Sequence, residues 1–249
     1  MQHESFLLPN WPIPANVHAY VTTRLGGYSS GAYASFNLGA YVQDEENNIR
    51  ANRQYLKKNL QLPNEPYWLK QIHSTTVVAL DTATTNATAV EADGSWASLP
   101  GKICVVTTAD CLPVLLCDQK GTCVSALHAG WRGLAHGILE EGIKALPAEP
   151  KELIAWLGPA ISSNFYEVGE EVRQAFLKVD AKAALAFRPS ERADHWYMDM
   201  YLLARQRLQA AGVPAIFGGE YCTYREADKF YSYRRDNVTG RMASLIWLE

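Results

Sequence analysis

The sequence predicts a mixed α/β fold of the α+β type, with layered sheets and helices in a single domain over residues 1–249. Short apolar segments typical of strands are interspersed with segments whose apolar residues recur at helical spacing. These elements do not follow the regular strand–helix–strand order that would indicate a purely parallel sheet. The 249 residues contain no internal repeat and no low-complexity tract, so nothing divides them into separate domains.

The amino-terminal third is predicted to contain one strand, one long helix and an extended region. Residues 17–23 indicate a strand because they are rich in β-branched and aromatic side chains. Residues 45–62 indicate a helix, with acidic residues in the first turn and lysines near the end, as the helix dipole favours. Residues 66–80 indicate two strands, or one bent strand, around His73, and the small polar residues of 81–95 indicate a loop.

The rest of the chain is predicted to contain further strands and amphipathic helices. Apolar segments typical of strands occupy residues 102–109, 113–118, 122–130, 153–159 and 244–248. A turn at 119–121 joins the second of these strands to the third. Apolar residues recur at helical spacing in 134–146, 169–179 and 201–212, and the last of these ends at Gly212, a residue favoured just past a helix end.

Composition and charge exclude several classes of protein. A net charge of −3 without a basic stripe gives no electrostatic basis for binding nucleic acid. The longest apolar runs are far too short to span a membrane. The first residues lack a basic segment followed by a long apolar one, so we expect no signal peptide and a cytoplasmic location. Five cysteines, without the spacing of a disulfide framework, are expected to be buried thiols, metal ligands or nucleophiles.

Three side chains, His73, Cys111 and His128, lie where apolar strands are predicted to end. One thiolate and two imidazoles could hold Zn²⁺ and leave a fourth position open to water or substrate. The same ligand types occur in blue copper centres, so the side chains alone do not select the metal. The alternative is a packing role, because cysteine is among the most buried residue types. We expect that role for the other four cysteines: Cys104, Cys117, Cys123 and Cys222.

A series of motifs along the chain carries a resemblance to a known family. The most specific are QIHSTTV at 71–77, TADCLPVLL at 108–116 and HAGWRGL at 128–134. They are accompanied by TTRLGG, SFNLG, WLGPAI, YEVG (FEVG in the family pattern) and SYRRDNVTGRMAS. On these motifs the sequence resembles, over essentially its whole length, the laccase-domain family, also called multicopper polyphenol oxidase or bacterial peptidoglycan editing factor.

The resemblance implies both a fold and an activity. Some members of the family are described as purine nucleoside phosphorylases with adenosine deaminase activity. The implied fold is similar to the catalytic domain of cytotoxic necrotizing toxins. The implied metal site consists of His73, Cys111 and His128, and each of these positions holds the expected residue type.

The number of histidines argues against laccase chemistry by the usual four-copper route. Imidazole is the usual copper ligand, and such an enzyme needs on the order of ten histidines. This chain has six histidines and no His-X-His pair. The sequence therefore predicts one metal ion held by three ligands, with zinc as the expected metal and copper as the alternative.

Four polar residues are candidates for substrate binding. The resemblance suggests Arg24, which precedes Gly26-Gly27 at a strand end, together with Asn37 and Gln71. Gln71 would share a face with His73 if the strand between them were regular. Arg132, at the predicted start of a helix, could bind an anion there or form a surface ion pair.

Other polar residues near the motifs leave their roles open. Asp110, next to Cys111, is predicted to orient a ligand by hydrogen bonding or to act as a catalytic base. Asp93 is a weaker candidate for the same orienting role. Arg234 and Arg235, in SYRRD, could contact substrate or form ion pairs on an edge strand.

Three functions are compatible with these residues. The first is a zinc-dependent purine nucleoside phosphorylase with adenosine deaminase activity, acting on adenosine, inosine, guanosine and methylthioadenosine-type substrates with phosphate; both activities come from the resemblance. The second is an amide hydrolase that edits peptidoglycan precursors, with Cys111 as nucleophile and His128 as base. The third is a metal-sequestering or partner-binding protein, although three ligands argue against a purely structural zinc. Nothing in the sequence fixes the oligomeric state, and a monomer is our expectation.

Overall fold

The computed structural model describes residues 2–83 and 89–249, with side chains from Glu4 onward. Within these residues the strands are β1 (Phe6–Leu7), β2 (Val17–Thr22), β3 (Val77–Ala79), β4 (Gly94–Ala97), β5 (Ile103–Thr108), β6 (Leu112–Asp118), β7 (Val124–Ala129), β8 (Leu153–Leu157), β9 (Glu167–Gly169), β10 (Phe187–Pro189), β11 (His195–Met198), β12 (Ala215–Gly218) and β13 (Met242–Leu248). The α-helices are α1 (Gln2–Ser5), α2 (Glu46–Asn59), α3 (Trp131–His136), α4 (Ile138–Ala145), α5 (Glu170–Leu177), α6 (Met200–Ala210) and α7 (Tyr233–Asp236).

The strands form three sheets. The largest has the order β12-β8-β6-β7-β4-β3, and it is mixed because β12 runs parallel to β8 and β3 runs parallel to β4. A second, antiparallel sheet has the order β1-β2-β13-β5. A third, small antiparallel sheet has the order β10-β11-β9.

The two larger sheets pack face to face, and helices cover their outer faces. Alternate residues of β5 and β13, such as Val106 and Ile246, meet residues of β6 and β7, such as Leu115 and Ala126, in one buried cluster. The opposite face of the six-stranded sheet packs against α3, α4, α5 and α6. Leu56 of α2 packs on the outer face of the four-stranded sheet. The protein therefore has four layers, helix, sheet, sheet and helix.

The mixed α/β single-domain prediction is confirmed, and so are most of the apolar strands. The predicted strands at 17–23, 102–109, 113–118, 122–130, 153–159 and 244–248 correspond to β2, β5, β6, β7, β8 and β13. The helices predicted at 45–62, 169–179 and 201–212 correspond to α2, α5 and α6. The likeness to the toxin fold and the exact domain limits 1–249 stay predictions.

Two local predictions are wrong, and one of the alternatives left open for SYRRD is excluded. Residues 66–80 contain only the short strand β3 and isolated bridges at Tyr67 and Lys70, so His73 does not end a strand. The helix predicted at 134–146 is broken at Gly137, whose φ of 102° is incompatible with a continuous helix. SYRRD forms the short helix α7 rather than an edge strand, because the Ser232 hydroxyl accepts a hydrogen bond from the Arg235 N–H.

The loop predicted at 81–95 is too long at its carboxyl end, since β4 begins at Gly94. Its central part, 84–88, lies outside the described residues. None of the described helices is both long enough and apolar enough to cross a membrane.

Candidate metal centre and substrate cavity

A cavity of about 600 Å³ opens beside the adjacent ends of β5, β6 and β7. His73, Cys111 and His128 all line it. Tyr41 and Tyr233 also line it, and their exposed fractions of 63% and 56% place them at its mouth. Its other polar and aromatic walls come from Arg53, Trp68, Gln71, Asp110, Trp131, Tyr166, Arg234 and Arg241.

The three predicted metal ligands meet in this cavity. Cys111 directly precedes β6 and His128 lies near the end of β7, and the pairing of Pro113 with His128 brings the two together. His73 reaches them from the irregular segment before β3, and its Nε2 lies 3.9 Å from the Cys111 sulfur. All three ligand atoms lie within 4.8 Å of one another.

These distances can be compared with those around a bound zinc ion. Zinc bonds of about 2.3 Å to sulfur and about 2.0 Å to nitrogen in a tetrahedron place neighbouring ligand atoms roughly 3.3–3.7 Å apart. The observed separation of 3.9 Å between Cys111 and His73 is close to this range, and all three ligand atoms lie within 4.8 Å, so a bound metal ion would draw them closer together. Three protein ligands leave the fourth position free, which is typical of catalytic rather than structural zinc.

Asp93 holds this group of ligands together. Its carboxylate accepts hydrogen bonds from the backbone N–H groups of Ile72 (3.2 Å), His73 (2.9 Å) and Ser74 (2.6 Å). The same carboxylate lies 2.8 Å from Nδ1 of His128, which leaves Nε2 of that ring free for a metal. Asp93 is fully buried, so the strength of these contacts is not reduced by water. Asp93, the weaker of the two predicted orienting residues, therefore makes these contacts with the candidate ligands, and the role of Asp110 stays a prediction.

The backbone around the ligands is specialised. His73 and Asp110 have φ angles of 61° and 89°, which non-glycine residues seldom adopt. The Asp110 carboxylate accepts hydrogen bonds from the Thr223 hydroxyl and from the backbone N–H of Arg234, each at 2.6 Å. A side chain at Gly130 would put its Cβ 2.7 Å from the His73 ring, so glycine is required there.

The electrostatic environment distinguishes Cys111 from the other cysteines. Burial alone would raise the pKa of its thiol, but the neighbouring imidazoles of His128 and His73 outweigh burial and lower the pKa to about 6. Burial raises the pKa values of Cys104, Cys117 and Cys123 to about 12. Cys111 is therefore suited to metal binding or nucleophilic chemistry, and those three cysteines are packing residues.

Three guanidinium groups line the cavity. Arg53 of α2 stacks over Trp68 at 3.8 Å, and its buried Nε has no hydrogen-bond partner among the described residues. Burial lowers the pKa of Arg53 to about 10, so it stays charged near neutral pH. Arg241 donates to two carbonyl groups just before it in the chain, and Arg234 lies over the Tyr166 ring. Arg53 also donates to the Leu38 carbonyl and Arg234 to the Glu167 carbonyl, so each guanidinium is held partly by backbone contacts. The ion pairs of the described residues involve other arginines, so these three positive charges are not neutralised by a carboxylate there.

The structure separates the predicted substrate-binding residues. Arg24 and Asn37 do not line the cavity. The Arg24 guanidinium donates to the carbonyls of Ala34 and Ala227, and Asn37 is fully buried with its amide bonded to nearby backbone and to Asp44. Both positions are therefore occupied by contacts within the protein, and their substrate roles stay predictions.

The other two predicted residues lie in or beside the cavity. Gln71 lines it, but its amide is already bonded to the backbone and hydroxyl of Thr107. Arg132 is exposed and stacks on Trp131, which is part of the wall. Sequence reasoning passed over Arg53, Tyr166 and Arg241. Tyr166 and Arg241 stand in two of the quoted motifs, whereas Arg53 resembles any charged residue of a surface helix.

The fold and the site define a layered α/β protein with a His-Cys-His group, able to hold a metal, in an arginine-lined cavity. The family model described as multi-copper polyphenol oxidoreductase laccase matches residues 18–249, and the chain belongs to this family. The resemblance inferred from the motifs is thereby confirmed.

Similar proteins extend over the whole chain. One from Shigella flexneri, named purine nucleoside phosphorylase YfiH, is 50% identical and covers 97% of this chain and 98% of its own length. One from Pseudomonas aeruginosa, named purine nucleoside phosphorylase PA4543, is 48% identical over 98% of this chain and 99% of its own.

Solved structures share the fold. The Neisseria meningitidis protein NMB0706 is 48% identical, with a TM-score of 0.94 over 98% of this chain and 99% of that one. YlmD from Geobacillus stearothermophilus is 30% identical, with a TM-score of 0.90 over 98% of this chain and 96% of that one.

The histidines are not arranged as the multicopper description would require. His18 pairs with Glu249, His136 ends α3, and His195 lies beside the carbonyl of Ala193. Among the described side chains, His73, Cys111 and His128 form one group of possible metal ligands, and no second group accompanies it. The geometry is thus compatible with one metal ion.

Proposed function

We propose that this protein is a zinc-dependent purine nucleoside phosphorylase that also deaminates adenosine. The observation that carries the proposal is the single cavity in which a three-ligand metal site meets unpaired guanidinium groups and aromatic walls. The names of the relatives from Shigella flexneri and Pseudomonas aeruginosa support the phosphorylase part.

Each part of the cavity suits one part of such a substrate pair. Arg53 and Arg241 offer charge-assisted hydrogen bonds to phosphate, whose oxygens match the planar fork of a guanidinium. Trp131 and Tyr166 offer flat apolar surfaces to a purine. When bound, zinc supplies Lewis-acid chemistry, polarising an oxygen atom of the substrate or of water. Asp93 and the ordered segment at 72–74 hold the imidazoles in the orientation that zinc needs.

Zinc-loaded protein is expected to convert inosine and phosphate into hypoxanthine and ribose 1-phosphate, because the cavity has aromatic walls for a base beside guanidinium groups for an anion. Arsenate should replace phosphate and still release the base, and adenosine should yield inosine as well as adenine. Chromatography of the products, before and after removal of zinc with a chelator, measures both activities. Failure to release base from any purine nucleoside would contradict the proposal.

A second candidate is the cysteine amide hydrolase, favoured by the Asp93–His128–Cys111 arrangement and by the lowered pKa of the thiol. A hydrolase of this kind would work without metal and without phosphate. Cleavage of an aminoacyl amide by chelator-treated protein, blocked by iodoacetamide at Cys111, would favour it over phosphorolysis.

Replacement of Arg241 by glutamine is expected to raise KM for phosphate roughly 10-fold to 100-fold, because a charge-assisted hydrogen bond to an anion is lost. Its matched control is Arg24→Gln. That variant removes the bonds to Ala34 and Ala227 outside the cavity, so it should lower the melting temperature without a change in KM for phosphate. A raised KM for phosphate in Arg24→Gln, together with an unchanged KM in Arg241→Gln, would assign the phosphate contact to Arg24 instead.

A further inference from the structure

Tyr166 presents a polar group that the protein itself does not use. It lies just before β9 and lines the cavity together with the three metal ligands. Its backbone carbonyl accepts a hydrogen bond from the backbone N–H of Met198. Its hydroxyl forms no hydrogen bond with the described residues. A half-buried phenol without a protein partner, in a cavity that admits ligands, is placed to serve a ligand.

The surroundings of this hydroxyl are those of the metal centre. Tyr166 lines the same cavity as Cys111, Asp110 and Arg234. The Arg234 guanidinium stacks over its ring at 5.0 Å and fixes the ring position. A phenol has an ordinary pKa of about 10, so near neutral pH it keeps its proton and donates.

Arg53 and Tyr166 reach the cavity from different layers of the fold, whereas Arg234 contacts the Tyr166 ring directly. Arg53 belongs to α2, outside the four-stranded sheet, whereas Trp131 begins α3, outside the six-stranded sheet. Tyr166 packs against the same core cluster as Trp131. A doubly charged phosphate is matched by the guanidinium groups, and an uncharged planar base is matched by the aromatic rings and a neutral donor.

We propose that the Tyr166 hydroxyl is a catalytic hydrogen-bond donor to the departing purine, an inference that rests on the proposed phosphorolysis. A phosphate oxygen forms the new bond to C1′, and the C1′–N9 bond breaks with its electron pair passing to the purine. The negative charge spreads over N7 and the 6-oxygen, where the hydroxyl stabilises it without losing its own proton. The base then takes up one proton from solvent, matching the proton that the phosphate releases on forming the ester.

Tyr166→Phe tests this inference, because it removes the hydroxyl and keeps the ring. With inosine, kcat should fall roughly 10-fold to 100-fold, while KM for phosphate, zinc content and melting temperature stay unchanged. With 7-methylinosine, whose base is already cationic and leaves as a neutral molecule, the variant should match the wild-type protein. Steady-state kinetics with both nucleosides measures this contrast.

The matched control is Tyr224→Phe. The Tyr224 ring stacks on Phe165 and does not line the cavity. This variant should behave as wild type with both nucleosides. An equal loss with inosine and 7-methylinosine, a change confined to KM for phosphate, or wild-type kinetics would each overturn the inference. Loss of zinc or of thermal stability in Tyr166→Phe would assign the hydroxyl a structural role and overturn it too. A wild-type protein without phosphorolysis would instead contradict the proposed function.

Discussion

Cys111→Ser is expected to lose most of its zinc and to reduce phosphorolysis by roughly 10³-fold or more. The thiolate is the anionic member of the His-Cys-His group, and a hydroxyl does not ionise near neutral pH, so it is a far poorer ligand. Wild-type protein should carry about one zinc per chain, since three ligands form one site. Metal analysis of the purified variant and the inosine assay give the two readouts.

Cys222→Ser is the matched control for this substitution. Cys222 is buried, accepts a hydrogen bond from the Ser162 hydroxyl and does not line the cavity, so its variant should retain zinc and activity. Full zinc occupancy in Cys111→Ser would contradict the metal site. Loss of activity with zinc retained would instead indicate that the thiol itself reacts.

The central hairpin was predictable because its signal is local. Residues 102–130 contain apolar runs of strand length separated by turns, and burial of both faces of β6 and β7 needs such runs. Cys111 and His128 flank this hairpin, so antiparallel pairing alone brings them near each other. The fold class and the proximity of these two candidate ligands follow from strand patterns, whereas their assignment as ligands rests on the family motifs.

The position of His73 was predicted less well because distant contacts determine it. The residues around it resemble a strand in composition, but three successive N–H groups bond to the Asp93 carboxylate instead of a neighbouring strand. This carboxylate lies about twenty residues away along the chain and has no spacing signal relative to His73 or His128. Tertiary contacts therefore override local propensity at this ligand.

The substrate-binding predictions show the same limit. Asn37 stands in a loop-like motif, yet its amide bonds with Gly39, Asp44 and Arg241 and stabilises the loop itself. Arg53 occupies an ordinary position in an amphipathic helix, and only the packing of α2 reveals that it lines the cavity. Whether a polar residue faces protein or ligand depends on neighbours that the chain brings together only on folding.

Asp93→Asn is expected to weaken zinc binding roughly 10-fold to 100-fold, the usual effect of losing a carboxylate that orients a ligating histidine. An asparagine amide can accept on its oxygen but donates on its nitrogen, so at least one N–H group at 72–74 would face another donor. The Nδ1 atom of His128 could then accept from the amide, which would move the ring proton to Nε2 and block the metal-binding nitrogen. Titration of metal-free protein with zinc against a competing chelator measures the affinity.

Asp81→Asn separates this effect from a general loss of order. Asp81 also fixes a loop, since its carboxylate accepts hydrogen bonds from the backbone N–H groups of Ser98 and Leu99, but it contacts no metal ligand. Both variants should lower the melting temperature, because each leaves loop N–H groups without their charged acceptor. Only Asp93→Asn should change the zinc affinity, since only its carboxylate joins the loop of His73 to the ring of His128. Equal zinc affinities in the two variants would mean that the ligands are oriented by the fold as a whole and not by Asp93.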